Sequence, residues 1–407
     1  MQPGEATSIE PSRVFDPAVR PDPYPLYAAL RERGRAIHDE AYGVWCLFGY
    51  EECAFALREA EGFSANRPTP DQAGPVDLSR SMLRSDPPDH ARIRSTVARA
   101  FTARAIAALE PRIREVTEQL LAELRPGRPF EVVGGLAVPL PVRIIAQLLG
   151  VEPDDWPRFR QWSENVISVT ARRPFGAAGS VEDPDAGELA RRSSMELLAY
   201  FSRVIEERRR EPRDDLIGRL VAANEDGVLT GDELMQACVL LLLAGNETTT
   251  NLISNTTLAL ARHPEQRRRL VDDHELIGNA IEEVLRFDGP IHLTTRRTTA
   301  DVRLGGTTIP AGVLVQIVLA AANRDPERFA DPDVFDVGRE DASAHLGFGR
   351  GIHYCLGAPQ ARLEARIVFD LLLQRAPEFE LADSGRPLAY GPNAALRGLK
   401  ELWIVPR

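Results

Sequence analysis

Apolar residues recur at helical spacing through most of the chain, as expected for helices that bury one face. The spacing predicts helices over residues 24–33, 50–59, 86–101, 136–149, 195–210, 231–262, 274–287 and 358–373. Strand signals are fewer: an apolar run at 44–48, a hairpin at 302–309 around Gly305 and Gly306, and a buried run at 313–318. The pattern predicts a mainly α fold with small β-sheets.

One predicted helix is unusually long. Thr230 and Glu233 fit a capping box, and the apolar pattern then continues to Arg262. At about 1.5 Å per residue the helix would be about 48 Å long. Residues 237–244 are apolar on every face, which predicts burial, but the polar run Gly-Asn-Glu-Thr-Thr-Thr follows at 245–250. Two interpretations remain open: the helix emerges into solvent there, or it carries a kinked, functional polar notch inside the protein.

Length and charge narrow the class of protein. The chain has 407 residues, of which 43% are hydrophobic, and this is enough for a sizeable core. Its Pro- and Gly-rich clusters are too short to be clear interdomain linkers, which favours one body. Its 60 acidic and 49 basic residues give a net charge of −11. That balance argues against a nucleic acid or an anionic membrane as the main partner, because both need a basic surface.

The cysteines and the N-terminus bear on the compartment. Four cysteines, at positions 46, 53, 238 and 355, are too few for a disulfide framework and match no zinc-binding spacing. The longest apolar run, 237–244, is far shorter than the roughly 20 residues that span a bilayer. Residues 1–20 lack the apolar segment of a signal peptide. We therefore expect a cytoplasmic protein without a membrane span.

The segment with the most specific chemistry is 348–357, Phe-Gly-Arg-Gly-Ile-His-Tyr-Cys-Leu-Gly. Its first two glycines permit unusual backbone angles or a close approach of backbone. Cys355 lies directly before a predicted helix, where the helix dipole and free N–H groups are expected to lower the pKa of a thiol. Gly357 leaves a surface without a side chain for a flat ligand. These features favour a metal-ligating thiolate; the alternative is a buried, inert cysteine after a tight turn.

The pattern Phe-Gly-x-Gly-x-His-x-Cys-x-Gly at 348–357 resembles the haem-binding loop of the cytochrome P450 family. Other segments match that family in the same order along the chain. Ala-Gly-Asn-Glu-Thr at 244–248 resembles its oxygen-activating helix motif, and Glu-Val-Leu-Arg at 283–286 resembles its Glu-x-x-Arg motif. Asp-Pro-Pro-Asp-His-x-x-x-Arg at 86–94 resembles the helix that bacterial members lay along a haem edge.

The resemblance extends from Asp22 to the C-terminus and implies a fold. We expect one P450-type domain at 21–407 after an N-terminal extension at 1–20. Haem b (iron protoporphyrin IX) would lie between the long central helix and the helix that follows the cysteine loop. Cys355 would be the axial ligand of the haem iron, and its thiolate would donate electron density that favours cleavage of bound O2.

The resemblance also implies which residues hold the haem. Its two propionates are carboxylates, which arginine can bind with both arms of its guanidinium. Four side chains are expected there: His90, Arg94, Arg296 and His353. The spacing to Asp301 favours Arg296 over Arg297. Four small residues are expected to be further haem contacts: Ala244, Gly245, Gly349 and Gly357.

The resemblance gives two more groups of side chains a role. Thr248 and Glu247 would relay protons to bound O2; the alternative for Thr248 is that its hydroxyl only bonds its own helix. Glu283 and Arg286, with Arg339 as a third member, would form a buried ionic network that fixes the fold under the cysteine loop.

The substrate side is less determined. By resemblance, mostly apolar or small residues line the pocket, which fits a small lipophilic molecule: Met82, Leu83, Leu240, Leu243, Ile291, His292, Thr294 and Ala395. His292 would orient a substrate, or it is a packed or solvent-facing histidine. The stretch 172–187 is expected to be a mobile lid loop.

Electrons are expected from outside the chain. It has no flavin or dinucleotide motif and no cysteine cluster for an iron–sulfur centre. We expect NAD(P)H electrons to arrive through a reductase and a ferredoxin or flavodoxin. These acidic partners would dock on arginines near the cysteine side, or those arginines form an ordinary solvated surface. The arginines in question are Arg92, Arg99, Arg104, Arg350 and Arg362.

The expected function is a bacterial monooxygenase, acting as a monomer, that inserts one oxygen atom of O2 into a small organic substrate, in secondary metabolism. The first alternative is a haem-thiolate oxidase that couples or rearranges its substrate without net oxygen insertion. The second is a non-catalytic haem-binding gas sensor or carrier, and the third is a helical binding protein without haem.

Overall fold

We describe a computed structural model of the chain over residues 9–66, 76, 78–170, 184–382 and 387–407; at 167–170 and 184–186 only the backbone is described. Most of the predicted lid at 172–187 lies outside these residues. The α-helices are α1 (Tyr24–Arg33), α2 (Tyr50–Arg58), α3 (Asp89–Ala98), α4 (Ala103–Ala107), α5 (Glu110–Leu120), α6 (Pro139–Leu149), α7 (Trp156–Thr170), α8 (Pro184–Arg210), α9 (Leu216–Glu225), α10 (Gly231–Arg262), α11 (Pro264–Asp272), α12 (Ile277–Phe287), α13 (Leu319–Ala322) and α14 (Ala358–Arg375).

The strands are short and few, so the predicted mainly α fold with small sheets is confirmed. They are β1 (Ala36–Asp39), β2 (Val44–Leu47), β3 (Phe63–Ser64), β4 (Phe130–Glu131), β5 (Thr294–Thr298), β6 (Val302–Leu304), β7 (Thr307–Ile309), β8 (Leu314–Ile317), β9 (Phe379–Leu381) and β10 (Trp403–Pro406). One sheet has the order β1-β2-β8-β5-β3, a second has the order β4-β10-β9, and β6 pairs with β7 in the predicted hairpin.

Helix α10 has the predicted bounds and length, 32 residues, and both bonds of its capping box are present. It does not emerge into solvent after its apolar half, because residues 249–260 are buried. The interpretation of an emerging helix is therefore wrong. The apolar first half packs into one core cluster with α6, α8 and α9, and the later part packs into a second with α12 and α14.

Helix α3 begins at Asp89, three residues later than predicted. The pattern Asp-Pro-Pro at 86–88 predicts Asp86 as the N-cap, but its carboxylate instead accepts hydrogen bonds from the backbone N–H of Ala65 and the hydroxyl of Ser64 at the end of β3. The helix still carries His90 and Arg94 one turn apart, as predicted. This shift therefore moves the cap but leaves both candidate haem contacts on the same face.

The N-terminal residues that the structure describes pack onto the body. Residues Pro11–Phe15 form a 3-10 helix whose Val14 is buried beside Tyr27 and Leu30 of α1. The aromatic ring of Phe15 meets that of Tyr42 edge to face, with 5.4 Å between centroids. Among the described residues, no helix combines the length and the apolar character that crossing a bilayer requires.

Candidate haem-thiolate site

The cysteine loop depends on two glycines with left-handed backbone. Gly349 has φ of +72° and Gly351 has φ of +70°, a region that residues with a Cβ rarely adopt. A Cβ at Gly351 would also lie 2.7 Å from the carbonyl oxygen of Leu57 in α2. The loop closes with a hydrogen bond of 2.9 Å from the backbone N–H of Cys355 to the carbonyl of Phe348. The sequence therefore fixes the position of the thiol through backbone geometry.

Cys355 lies directly before α14 and differs from the other cysteines. Cys46, Cys53 and Cys238 are buried, whereas the side chain of Cys355 is accessible although much protein surrounds it. Burial raises the pKa of its thiol, although hydrogen bonds from the backbone N–H groups of Gly357 and Ala358 act to lower it. The expectation of a lowered pKa is therefore wrong for the protein alone, because desolvation outweighs the helix N-terminus.

Helix α10 has an accessible turn at the predicted motif. Ala244 is exposed and Leu243 and Gly245 are half-buried, in the middle of a helix whose residues 236–242 and 249–260 are buried. Gly245 has open space around it; a Cβ there would meet only Ile145, at 3.8 Å. The hydroxyl of Thr248 donates a hydrogen bond of 2.8 Å to the carbonyl of Ala244. Thr248 thus bonds its own helix, as one interpretation held, and it does so at the accessible turn.

The acidic residue of this motif is in an apolar environment. Burial, with a smaller effect of the nearby charge of Glu164, raises the pKa of Glu247 to about 7. Its Oε2 atom is buried and has no partner. The neighbouring Asn246 donates a hydrogen bond of 3.4 Å to the hydroxyl of Ser163 in α7. Glu247 can therefore hold or release a proton near neutral pH.

The four side chains predicted at the propionates come together from three separate segments. The rings of His90 in α3 and His353 in the cysteine loop have centroids 4.3 Å apart, and the Nε2 atom of each is buried without a partner. Burial lowers the pKa of both, helped at His353 by Arg296 and at His90 by Arg94; that of His353 falls to about 3. Arg296 on β5 is buried, and Arg94 donates a hydrogen bond of 2.6 Å to the carbonyl of Tyr354.

This cluster fits an anionic group. Unpartnered ring nitrogens beside two guanidinium groups are costly to bury unless an acceptor meets them. Neighbouring residues of a strand point to opposite faces, so Arg297 points away from the cluster that Arg296 joins. Gly357 adds the open surface that a flat group needs, since the nearest atom to a Cβ built there is the Cys355 sulfur, at 4.0 Å.

The structure brings the predicted ionic network together. Glu283 and Arg286 are fully buried and joined by two hydrogen bonds, of 2.7 and 2.8 Å. Arg339 donates to the same carboxylate at 3.2 Å, and so does the backbone N–H of Asp336, at 3.1 Å. The remaining N–H groups of Arg286 bond carbonyls, among them that of Asn323. Each charge therefore has a partner.

The residues predicted at the substrate pocket are in varied environments. Leu240 is buried, and Met82 and Leu243 are half-buried against the core cluster around α10. Leu83 is 50% exposed, so its predicted contact with substrate has no support from its position. Thr294 lies half-buried at the start of β5.

The predicted pocket residues around His292 form a packed corner. The His292 ring is buried against Tyr24 and Tyr27 of α1, and Nδ1 lies 3.1 Å from the Tyr27 hydroxyl. Its backbone N–H donates to the carbonyl of Ala395, and Ile291 forms a β-bridge with residue 396. This position favours the packed alternative for His292 over the substrate-orienting one.

The arginines proposed as a docking surface differ in availability. Arg92 bonds Glu233 in α10 and Asp89, Arg350 bonds the Tyr50 hydroxyl, and Arg362 bonds Glu282. The charges of Arg92 and Arg362 are compensated by carboxylates, whereas the hydroxyl that Arg350 bonds is uncharged, so both interpretations of these arginines stay open. Arg99 and Arg104 are exposed.

Sequence reasoning missed Glu282 and His345, which bond each other beside the cysteine loop, where Glu282 also accepts hydrogen bonds from Arg362. Glu282 precedes the recognised Glu283, and no motif marks either residue. The packing of α12 against the segment that carries His345 and against α14 brings them together.

Comparison with known proteins identifies the family. The site combines a cysteine loop, a helix that carries an acid and a hydroxyl, and a cationic cluster, and this combination is of the haem-thiolate type. The family model for cytochrome P450 matches residues 41–388. The chain belongs to the cytochrome P450 family and is an oxidoreductase that uses haem and O2. It is 41% identical to cytochrome P450 monooxygenase PikC of Streptomyces venezuelae, over 94% of this chain and 91% of that protein.

Other relatives cover nearly the whole chain. Vitamin D(3) 25-hydroxylase of Pseudonocardia autotrophica is 39% identical, over 98% of this chain and 97% of that protein. The crystal structure of CYP109E1 from Bacillus megaterium in complex with testosterone matches with a TM-score of 0.87 and 37% identity, over 96% of this chain and 99% of that one. The predicted family and fold are therefore confirmed.

Proposed function

We propose that the protein is a monooxygenase that inserts one oxygen atom of O2 into a small lipophilic molecule, and that the Cys355 thiolate would hold the haem iron. The observation that carries the proposal is the accessible Cys355 thiol within the fold, together with the unpartnered donors of His90 and His353. When bound, the haem supplies activation of O2, and a thiolate ligand favours O–O cleavage.

Four donors hold the haem edge in this proposal. Arg296 and Arg94 bring positive charge, and the Nε2 atoms of His90 and His353 supply further hydrogen bonds to carboxylates. Arg94 retains free N–H groups beyond the one that bonds Tyr354. Gly357, close to the Cys355 sulfur, would offer the flat group backbone without a side chain.

Proton delivery is assigned to Glu247 and Thr248. With a pKa of about 7, Glu247 is protonated in a substantial fraction of molecules at neutral pH and can be recharged from solvent. The Thr248 hydroxyl donates to the Ala244 carbonyl, and rotation about its Cα–Cβ bond would let it donate to a group outside the helix instead. The acid thus holds the proton and the hydroxyl positions it.

The substrate is proposed to be largely apolar, because Leu240 and Leu243 lie within about one helical turn of the accessible Ala244 on α10. The names of related proteins are compatible: one is a vitamin D(3) 25-hydroxylase, one structure holds testosterone, and another is the tirandamycin C-bound monooxygenase TamI. A role in secondary metabolism is part of this proposal. Electrons are proposed to come from NAD(P)H through a reductase and a ferredoxin or flavodoxin.

The test is turnover with a surrogate reductase and ferredoxin on compounds chosen by a ligand-induced spin-shift screen. We expect a product heavier than its substrate by one oxygen atom, labelled when ¹⁸O₂ is supplied. Substrate consumption without an oxygen gain would instead support the oxidase that couples or rearranges its substrate. Spin shifts without any NAD(P)H-dependent turnover would contradict both.

A further inference from the structure

A polar cluster outside the predicted site holds the cysteine loop from the side of α12 and α14. The carboxylate of Glu282 accepts two hydrogen bonds from Arg362, of 2.7 and 2.8 Å. It also accepts one of 3.2 Å from Nε2 of His345. Nδ1 of His345 accepts from the backbone N–H of Gly347 at 2.9 Å, so the proton of the neutral ring belongs on Nε2. We call Glu282, His345 and Arg362 the loop clamp.

The loop clamp holds the loop on both sides of Phe348. The N–H of Gly347 is held by the His345 ring, and a side chain would not fit there, since a Cβ would lie 3.1 Å from that ring and 3.2 Å from the carbonyl oxygen of Leu285. The guanidinium of Arg362 lies over the Phe348 ring, 4.5 Å from its centroid. Because the N–H of Cys355 bonds the Phe348 carbonyl, an arginine that fixes Phe348 also fixes the thiol.

Tyr354, the residue directly before the thiol, is held at both ends. Its hydroxyl accepts a hydrogen bond of 3.0 Å from Arg362, and its carbonyl accepts one of 2.6 Å from Arg94. The two arginines come from α14 and α3. Their guanidinium groups both bring positive charge toward the Cys355 sulfur.

Two members of the loop clamp, Glu282 and Arg362, are charged at neutral pH. Although burial raises the pKa of Glu282, hydrogen bonds from Arg362 and His345 lower it to about 2, so the carboxylate remains ionised at neutral pH. Arg362 remains a cation beside it. The charge of Arg362 acts on the sulfur, and Glu282 both holds that cation in place and partly compensates it.

We propose that Glu282 and Arg362 are positioning residues that set the reduction potential of the haem through the cysteine loop. Reduction adds one electron at the iron, so a nearby cation stabilises the reduced form and a nearby anion opposes it. The inference rests on the proposed axial role of Cys355. It also accounts for Arg362 as an internal charge rather than a free docking cation.

The experiment is spectroelectrochemical titration of the haem-loaded protein and its variants. Arg362→Gln removes the cation, and we expect a lower midpoint potential. Glu282→Gln leaves the cation uncompensated, and we expect a higher one. The double variant should fall between them. Arg366→Gln is the matched control: it removes an exposed arginine one turn along α14, paired at 3.5 Å with Glu110, and should shift the potential little.

Opposite shifts of the two single variants, each larger than that of the control, support the proposal; a structural loss would move both the same way. Shifts of one sign, or shifts no larger than the control, overturn it. If Arg362→Gln does not load haem, Glu282→Gln and Arg362→Lys decide: Arg362→Lys keeps the charge and should keep the potential. A wild-type carbon monoxide complex without a red-shifted Soret band would overturn the proposed thiolate instead.

Discussion

Glu283→Ala is the perturbation whose cost the structure defines best. The substitution removes the acceptor of four hydrogen bonds, two from Arg286, one from Arg339 and one from the backbone N–H of Asp336. Arg286, which is 1% exposed, is then left as a buried cation without an anionic partner. Removing one partner of such a buried pair costs about 3–5 kcal/mol.

That loss is a large share of the stability of a typical folded protein, about 5–15 kcal/mol. Because the network ties α12 to the segment that carries Arg339, we expect little or no haem-loaded protein from Glu283→Ala. The chain offers a matched control in Glu206→Ala. Glu206 pairs with Arg209 at the same spacing, but on the surface, with side chains 54% and 37% exposed. Its loss should cost no more than about 0.5 kcal/mol.

The assays are haem content per protein after expression and the free energy of unfolding in urea. The reasoning is refuted if Glu283→Ala takes up haem normally and loses no more stability than Glu206→Ala. Equal losses in the two variants would mean that the spacing, and not the burial, determines the contribution of the pair.

Three further predictions concern the candidate site. Thr248→Ala should lower the fraction of NAD(P)H electrons that reach product, measured as product per NAD(P)H oxidised, while Thr248→Ser should restore it. The pKa of Glu247 is about 7 in the folded protein and near 4.5 in the unfolded chain, so its ionisation destabilises the fold as the pH rises through that interval. In denaturation curves, Glu247→Gln should therefore gain more stability at pH 8 than at pH 5. Equal gains at the two pH values would contradict the raised pKa. Arg296→Gln should speed transfer of haem to excess apomyoglobin, and Arg297→Gln, on the opposite face of β5, should not.

The elements that sequence reasoning predicted well are those with strong local signals. Helix α10 has its predicted bounds because Thr230 and Glu233 form the capping box and His263-Pro264 ends the apolar pattern. The hairpin at Gly305 and Gly306 follows from their positive φ angles, which the sequence marks by residue type. Each of these signals lies within a few residues of the feature that it predicts.

What the sequence did not predict depends on contacts between distant segments. Asp86 is a residue type that favours a helix cap, but its carboxylate accepts hydrogen bonds from Ser64 and Ala65, which lie 22 and 21 residues earlier. The pKa of Cys355 depends on how much protein surrounds it, and the local rule for helix N-termini ignores that burial. Glu282 and His345 carry no motif and meet only through packing of α12 against the loop.

The central claim is a bond between the Cys355 sulfur and haem iron, and the most direct measurement is the absorption spectrum of the reduced protein with carbon monoxide. The account predicts the strongly red-shifted Soret band of a thiolate ligand in the wild type. It predicts loss of that band in Cys355→Ala, with Cys238→Ala, a buried cysteine in α10, as the control that keeps it. A wild-type spectrum without the shifted band, or an unchanged band in Cys355→Ala, would contradict the account.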